Sequence, residues 1–385
     1  MTHPAIAEAL NELALIDHHV HGTLRVELDR EAFEDVMTES DRPRRTGTTN
    51  FDSQFGLSVR RFCAPVLGLE PHASPEDYVA QRLALGSTEV NRRLLSAARL
   101  GAMIIDTGFA TSKLTDLVET AELSGAPTFE VVRLEAVAEA LVRDDVDPAN
   151  FADTLRRTLS DAVASGAVGF KSIAAYRYGL DVPHHRPHDT EVTRSAATWM
   201  AQAAASGHVR ISDPILLSFL MWSAIDTGKP LQFHIGYGDS DINLLRANPA
   251  LLTDFMRATQ DSGASIMLLH CYPYQREAAY LSQMFPHVYF DIGEAINYSG
   301  LQSRTIIGES LEIGPFTKQL YSSDGWGPAE LHFVGSHLWR RGMTEVLSSW
   351  VDKGDCTVDD AIRIATMIGR DNATAVYGVS GITRA

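Results

Sequence analysis

Short apolar segments recur along the whole chain, separated by longer amphipathic stretches, and this alternation constrains the fold more than any other feature. Eight segments have the length and composition of strands that helices cover on both faces. They are Leu13–Asp17, Ala102–Asp106, Thr128–Arg133, Val168–Ser172, Leu231–Ile235, Ser265–His270, Val288–Ile292 and Gln319–Ser323. Helix-like stretches such as Asp153–Ser165 lie between them. The alternation predicts an α/β fold, a (β/α)8 TIM barrel with its functional groups at the carboxyl ends of the strands.

Two connections are too long for simple crossovers, those from Gly22 to Gly101 and from Ala174 to Pro230. We expect helical insertions after strands 1 and 4, at about residues 23–100 and 175–229, because long structureless loops are uncommon in compact domains. Both would cover the active site of a single domain spanning residues 1–385. A separate small domain at Thr23–Leu100 is the alternative.

The charge and cysteine content exclude several classes of function. With 33 Lys and Arg against 49 Asp and Glu, the net charge of −16 disfavours nucleic-acid and anionic-membrane partners. The N-terminal segment has no basic region of a signal peptide, and the longest apolar run, Ile215–Ile225, is too short to span a membrane. Three widely spaced cysteines form no disulfide framework, so we expect a cytoplasmic protein with a small-molecule substrate.

Polar side chains stand at the ends of several predicted strands. His19 and His21 follow the first strand two residues apart, which places both imidazoles on one face and His18 on the other. Two such imidazoles can bind a zinc-like cation, although a structural role is an equally good reading of this pair alone. Four further predicted strands also end in, or are followed by, a polar residue: His234, His270, Asp324 and Lys171.

In this order and at these strand ends, the residues resemble the metal-dependent amidohydrolase superfamily. The segments from Phe170, Phe233 and Tyr289, which read FKSIAAYR, FHIGYGD and YFDIGE, are similar to the amidohydrolase-2 branch, as in the amidohydrolase half of FluG-type proteins fused to a glutamine-synthetase-like domain. The resemblance covers essentially the whole predicted barrel. It implies a homodimer.

The resemblance further implies that His19, His21, His234 and Asp324 bind a divalent ion, with Zn²⁺ as the first candidate and Mn²⁺ or Fe²⁺ as alternatives. A hydroxide bound to the metal would attack the substrate, with Asp324 as the acid and base and His270 stabilising the oxyanion.

Lys171 leaves three alternatives open. In some superfamily members a carbamylated lysine at this strand end bridges two metals, with His234 and His270 serving the second ion. The amidohydrolase-2 branch favours one metal, with Lys171 as an electrostatic or substrate-binding group. The third alternative is a buried salt bridge of Lys171 with Asp17 or Glu294.

Four residues near the strand ends are candidates for substrate binding: Tyr176, Arg177, Glu294 and Trp326. Arg177 could bind a substrate carboxylate through two hydrogen bonds, or form an ion pair in a solvated loop. Glu294 could bind an amine or orient a histidine, or instead pair with Arg276. Trp326 could form a pocket wall or belong to a plain strand-to-helix turn.

Together these expectations predict a metal-dependent hydrolase that acts on C–N bonds and cleaves a γ-glutamyl or other small carboxylated amide. The alternative is a non-oxidative decarboxylase of the same branch, since the ligands alone do not separate the two reactions. A non-catalytic signalling barrel is a third hypothesis, which the intact ligand set disfavours. The substrate, the native metal and the number of metals are left open by the sequence.

Overall fold

A computed structural model describes residues 2–110 and 112–381, which form an α/β fold around one parallel sheet. The sheet has the strand order β1 to β7, and every neighbouring pair is parallel. The strands are β1 Leu15–Val20, β2 Leu100–Asp106, β3 Thr128–Arg133, β4 Gly169–Ser172, β5 Leu231–His234, β6 Ile266–Leu269 and β7 Val288–Phe290.

Helices fill the connections between the strands. In chain order they are α1 Pro4–Glu12, α2 Arg30–Asp35, α3 Gln54–Ser58, α4 Ala64–Val66, α5 Pro75–Leu85, α6 Ser87–Ala98, α7 Leu117–Ser124, α8 Leu134–Arg143, α9 Phe151–Ala164, α10 Ala174–Arg177, α11 Asp189–Ser206, α12 Pro214–Ile225, α13 Thr253–Thr259, α14 Gln275–Met284, α15 Gly293–Ser299, α16 Ser303–Ser310, α17 Ala329–Lys353, α18 Val358–Thr366 and α19 Asn372–Tyr377. Both long connections are thus largely helical. Within the described residues, no helix combines the length and apolarity needed to cross a bilayer.

The described sheet has seven strands where the sequence predicts eight. The predicted eighth strand, Gln319–Ser323, forms a single parallel bridge, between Gln319 and Phe290 of β7. On the other side the His18 amide donates to the Tyr321 carbonyl at 3.1 Å. Further along, the Asp324 amide donates to the His19 carbonyl at 3.2 Å, whereas the Ser323 amide between them donates to the Asp17 side chain at 3.0 Å. The segment therefore lies between the two edges of the sheet without forming a regular strand.

Buried apolar residues show that the sheet is curved. Side chains from β1, β2, β3 and β6 pack into one cluster with the C-terminal segment, which a flat sheet would hold apart. The cluster comprises Ile16, Ala102, Ile104, Val131, Val168, Met267, Leu269, Leu320, Ala373, Tyr377 and Val379. It lies beneath the polar residues at the carboxyl ends of the strands.

Strand β1 differs from its prediction. The predicted range, Leu13–Asp17, starts two residues early, because Leu13 caps the C-terminal end of α1, and β1 continues to Val20. All six residues of β1 are buried, although the segment includes Asp17, His18 and His19. A stretch with three consecutive polar residues reads as a strand end, and only the tertiary hydrogen bonds described below allow these side chains to be buried.

Candidate active site

His19 and His21 line one cavity at the carboxyl end of β1, with ring centroids 5.2 Å apart. His18 faces away from them, as the strand period predicts. Its Nε2 lies 2.8 Å from Asp291 Oδ2, and its Nδ1 lies 3.1 Å from the Tyr377 hydroxyl. The cluster at this strand end thus has two imidazoles directed at the cavity and one holding the surrounding structure.

Long-range hydrogen bonds set the protonation of both cavity imidazoles. The buried amide of Gln232 directs its nitrogen to the His18 carbonyl at 2.9 Å, which can only accept. Its oxygen therefore faces His19 Nδ1, 2.8 Å away, and Nδ1 must carry the proton. His21 Nδ1 likewise donates to the Asp106 carbonyl at 3.1 Å. Each ring consequently presents its Nε2 lone pair to the cavity, and metal-binding histidines are commonly held by a hydrogen bond from their other ring nitrogen in this way.

The Asp324 carboxylate lies opposite these lone pairs. Its Oδ1 lies 3.3 Å from His19 Nε2 and 3.6 Å from His21 Nε2, and its Oδ2 lies 3.4 Å from His270 Nδ1. Asp324 Oδ1 and both ring nitrogens of His270 are buried without a hydrogen-bond partner among the described residues. Electron pairs that face one another in this way are favourable only with a cation or a proton between them.

Two overlapping groups have ligand atoms within 4.8 Å of one another and could hold a metal ion. One contains His19, His270 and Asp324, and the other contains His19, His21 and Asp106. Imidazole nitrogen and carboxylate oxygen are suitable ligands for zinc and related divalent ions.

Burial controls the charge of the site. It lowers the pKa of His19 and His234 well below 6.5, with the nearby Lys171 ammonium as the next cause. Burial also lowers the pKa of Lys171 to about 8 and raises that of Asp324, although His21 and Lys171 oppose the latter shift. The imidazoles are therefore neutral near pH 7, which is the state that binds metals.

Lys171 is 2 % exposed, and its Nζ lies 3.3 Å from His19 Nε2. Among the described residues it forms no ion pair with Asp17 or Glu294. Asp17 instead accepts hydrogen bonds from the Ser323 amide and hydroxyl. The salt-bridge alternative for Lys171 is therefore wrong in this structure, and the ammonium lies beside the histidine cluster.

His234 is adjacent to the cluster but is oriented differently. Its ring centroid is 4.7 Å from that of His270, while its Nε2 lies 2.7 Å from the Tyr237 carbonyl. The neighbouring Gly238 makes this arrangement possible, since a Cβ there would lie 2.1 Å from the Tyr176 hydroxyl and 3.0 Å from His234 Nε2. The structure thus brings His234 to the site without directing Nε2 at Asp324.

Two site residues occupy a backbone region that side chains disfavour. The φ angles of His270 and Asp324 are +69° and +49°, in the left-handed region. The surroundings hold both residues, because the His270 amide donates to Asp291 Oδ1 at 2.8 Å and the Asp324 amide donates to the His19 carbonyl at 3.2 Å. Such strain persists where neighbouring contacts determine the conformation, and it is concentrated at functional sites.

The cavity above the cluster has a volume of about 800 Å³, the size of a small-molecule site. All four predicted substrate-binding residues line it: Tyr176, Arg177, Glu294 and Trp326. Arg177 also forms an ion pair with Glu139, at 3.2 Å. The alternative pairing of Glu294 with Arg276 is wrong, because Arg276 pairs with Glu309 and Glu312 instead.

Several residues of this site were not predicted from the sequence. Asp106 ends β2 and forms an ion pair with Arg133 at 2.6 Å. Its position at a strand end is the sequence feature that could have identified it. For Gln232 the signal was a polar residue inside an apolar strand. Glu39 lies in the loop after α2, where no local pattern indicates that it lines the cavity.

Comparisons with known proteins find similarity in sequence and in structure. No family model matches the chain. The chain is similar to protein fluG of Emericella nidulans. The two are 34% identical over 284 residues, which is 66% of this chain and 32% of fluG, so the chain spans about a third of that relative's length.

Among solved structures, a protein from Lactobacillus casei ATCC 334, provisionally described as a metal-dependent hydrolase, has a TM-score of 0.85 and 27% identity, with 97% of each chain covered. A uronate isomerase from Bacillus halodurans C-125 has a TM-score of 0.68 and 14% identity, covering 98% of this chain and 96% of the isomerase. The second likeness concerns the fold alone.

Proposed function

We propose that the chain is a metal-dependent hydrolase of the amidohydrolase superfamily, amidohydrolase-2 branch, that cleaves a small carboxylated amide such as a γ-glutamyl amide. The convergence of the His19 and His21 lone pairs on the Asp324 carboxylate carries the proposal. Similarity to the Lactobacillus casei protein supports metal dependence, and similarity to fluG supports the choice of branch.

His19, His21 and Asp324 would hold the ion, with His234 as the proposed fourth ligand. Because His234 Nε2 donates to the Tyr237 carbonyl, which can only accept, its proton lies on Nε2, and His234 would bind the ion through Nδ1. A set of three nitrogens and one carboxylate fits Zn²⁺, and we propose a single ion. When bound, a divalent cation lowers the pKa of a coordinated water and supplies positive charge near the substrate carbonyl.

The residues of the chain have separate tasks in this proposal. Asp324 accepts a proton from the attacking water and delivers it to the leaving nitrogen. His270, whose ring nitrogens have no protein partner, stabilises the charge that develops on the carbonyl oxygen. The Lys171 ammonium contributes a second positive charge beside His19.

Elemental analysis and an amide screen together test the proposal. We expect one equivalent of tightly bound zinc per chain, and amine release from γ-glutamyl amides that is lost on chelation and restored by Zn²⁺. Full activity of metal-free protein would overturn the proposal. Release of CO₂ from aromatic carboxylates in place of amine release would indicate a decarboxylase, and two equivalents of metal would indicate a binuclear site with a carbamylated Lys171.

We also propose that residues 23–100 and 175–229 are insertions covering the cavity within a single domain spanning residues 1–385. Lining residues from both ranges, among them Glu39 and Arg210, support this organisation. Homodimer formation and a cytoplasmic location stay predictions.

A further inference from the structure

The arginines that line the cavity already have partners. Among the described residues there are five of them, and each lies within 4 Å of a protein carboxylate: Arg42 with Asp41, Arg44 with Glu34, Arg133 with Asp106, Arg177 with Glu139 and Arg210 with Asp241. A second anion near any of them competes with an existing ion pair. These five guanidinium groups are therefore compensated within the protein, and the Lys171 ammonium beside His19 is a further positive charge in the cavity.

Two carboxylates that line the cavity, those of Glu294 and Glu39, by contrast have no positively charged partner among the described residues. Glu294 is 2 % exposed, and its Oε2 is buried without a hydrogen-bond partner among the described residues. Glu39 accepts hydrogen bonds at Oε1 from the Tyr298 hydroxyl and from Trp326 Nε1, which orient it. Neither carboxylate forms an ion pair within the part of the chain that the structure describes.

Burial disfavours the charged form of both carboxylates. Burial raises the pKa of Glu294 well above 4.5, and the neighbouring Glu39 adds to the rise. Burial likewise raises the pKa of Glu39 to about 7. A desolvated carboxylate without a partner is costly, and a cation placed beside it removes that cost. The unpaired oxygen of Glu294 thus indicates a positively charged ligand group.

We propose that Glu294 and Glu39 form a subsite for a protonated primary amine of the substrate. The ammonium donates hydrogen bonds to the two carboxylates while the amide carbonyl lies at the cluster of His19, His21, His270 and Asp324. Only the placement of the amide carbonyl at the cluster rests on the proposed function. It narrows the substrate class to amides that carry an ammonium group, as amino-acid amides do.

Binding measurements test the subsite without requiring turnover. By titration calorimetry on the zinc-loaded protein, L-glutamate is compared with glutarate, and 4-aminobutanamide with butanamide. Each pair differs only by the amino group. We expect the ammonium-bearing compound of each pair to bind about tenfold more tightly or better, since hydrogen bonds to charged groups are strong.

The variant Glu294→Gln should remove this preference and leave the affinity for glutarate nearly unchanged. Glu39→Gln provides a second variant if Glu294→Gln does not fold, and we expect a smaller loss of preference. Glu277→Gln, at an exposed residue that does not line the cavity, is the matched control.

Equal binding within both pairs, no binding by either ammonium compound, or a preference that survives in Glu294→Gln would overturn the subsite. The proposed function fails separately. An ammonium preference without any amide hydrolysis would support the subsite and reject the hydrolase. Equal hydrolysis of amides with and without an amino group would support the hydrolase and reject the subsite.

Discussion

Replacement of Gln232 by Met should weaken metal binding although Gln232 is not a proposed ligand. The side chain is fully buried and joins three groups: it accepts from His19 Nδ1 at 2.8 Å and donates to the His18 carbonyl at 2.9 Å and the Tyr377 hydroxyl at 2.8 Å. Methionine has a similar shape but replaces none of these bonds. His19 would then lose the partner that holds its proton on Nδ1 and its lone pair on Nε2.

The loss of such a partner typically costs about 10- to 100-fold in metal affinity or activity. This corresponds to about 1.4 to 2.8 kcal/mol, since each tenfold change in an equilibrium constant is about 1.4 kcal/mol. The variant should also unfold more easily, because the buried His18 carbonyl is left unpaired, at a cost of about 1 to 3 kcal/mol.

Competition with a chromogenic chelator at fixed pH measures the zinc affinity, and chemical denaturation measures the stability. Gln275→Met is the matched control, since Gln275 is also buried and hydrogen-bonded, to Glu309, but does not line the cavity. We expect the control to lose stability and keep its zinc affinity. If Gln232→Met binds zinc as tightly as the unmodified protein, the tautomer of His19 does not control metal binding and the reasoning is wrong.

Three further predictions concern catalysis, stability and pH. Asp324→Asn should lower amide turnover by about 10²- to 10⁴-fold through loss of proton transfer, and kinetics like those of the unmodified protein would exclude that role. Arg82→Met removes the ion-pair partner of the fully buried Glu330, 2.7 Å away, leaves it the hydrogen bond from the Tyr78 hydroxyl, and should cost about 3 to 5 kcal/mol of unfolding free energy. Arg156→Met, at an exposed ion pair, should cost about 1 kcal/mol or less, and similar losses for the two variants in urea titrations would contradict the argument. Burial, with nearby Arg341, lowers the pKa of His337 to about 4. Because the unfolded state binds this proton first, the stability contribution is complete above pH 6.5 and is lost as the pH falls toward about 4, and His337→Gln should flatten the pH dependence of the unfolding free energy in that window.

Local patterns predict much of this fold. Strand β3 has the predicted bounds, Thr128–Arg133, and the predicted helix Asp153–Ser165 corresponds to α9, Phe151–Ala164. Both have apolar periodicities that depend only on nearby residues. The prediction fails at Gln319–Ser323, where the apolar residues suit a strand but the Ser323 amide donates to the Asp17 side chain and not to a neighbouring strand.

The sequence by itself determined which residues reach the strand ends, and the period of two placed His19 and His21 on one face of β1. Tertiary structure decided what each polar atom does there. The position of the proton on His19 depends on Gln232, far along the chain. The hydrogen bond of His234 Nε2 depends on the turn that brings the Tyr237 carbonyl to it. Ion pairing and tautomers are set by distances of a few ångströms between elements remote in sequence, and no local pattern contains those distances.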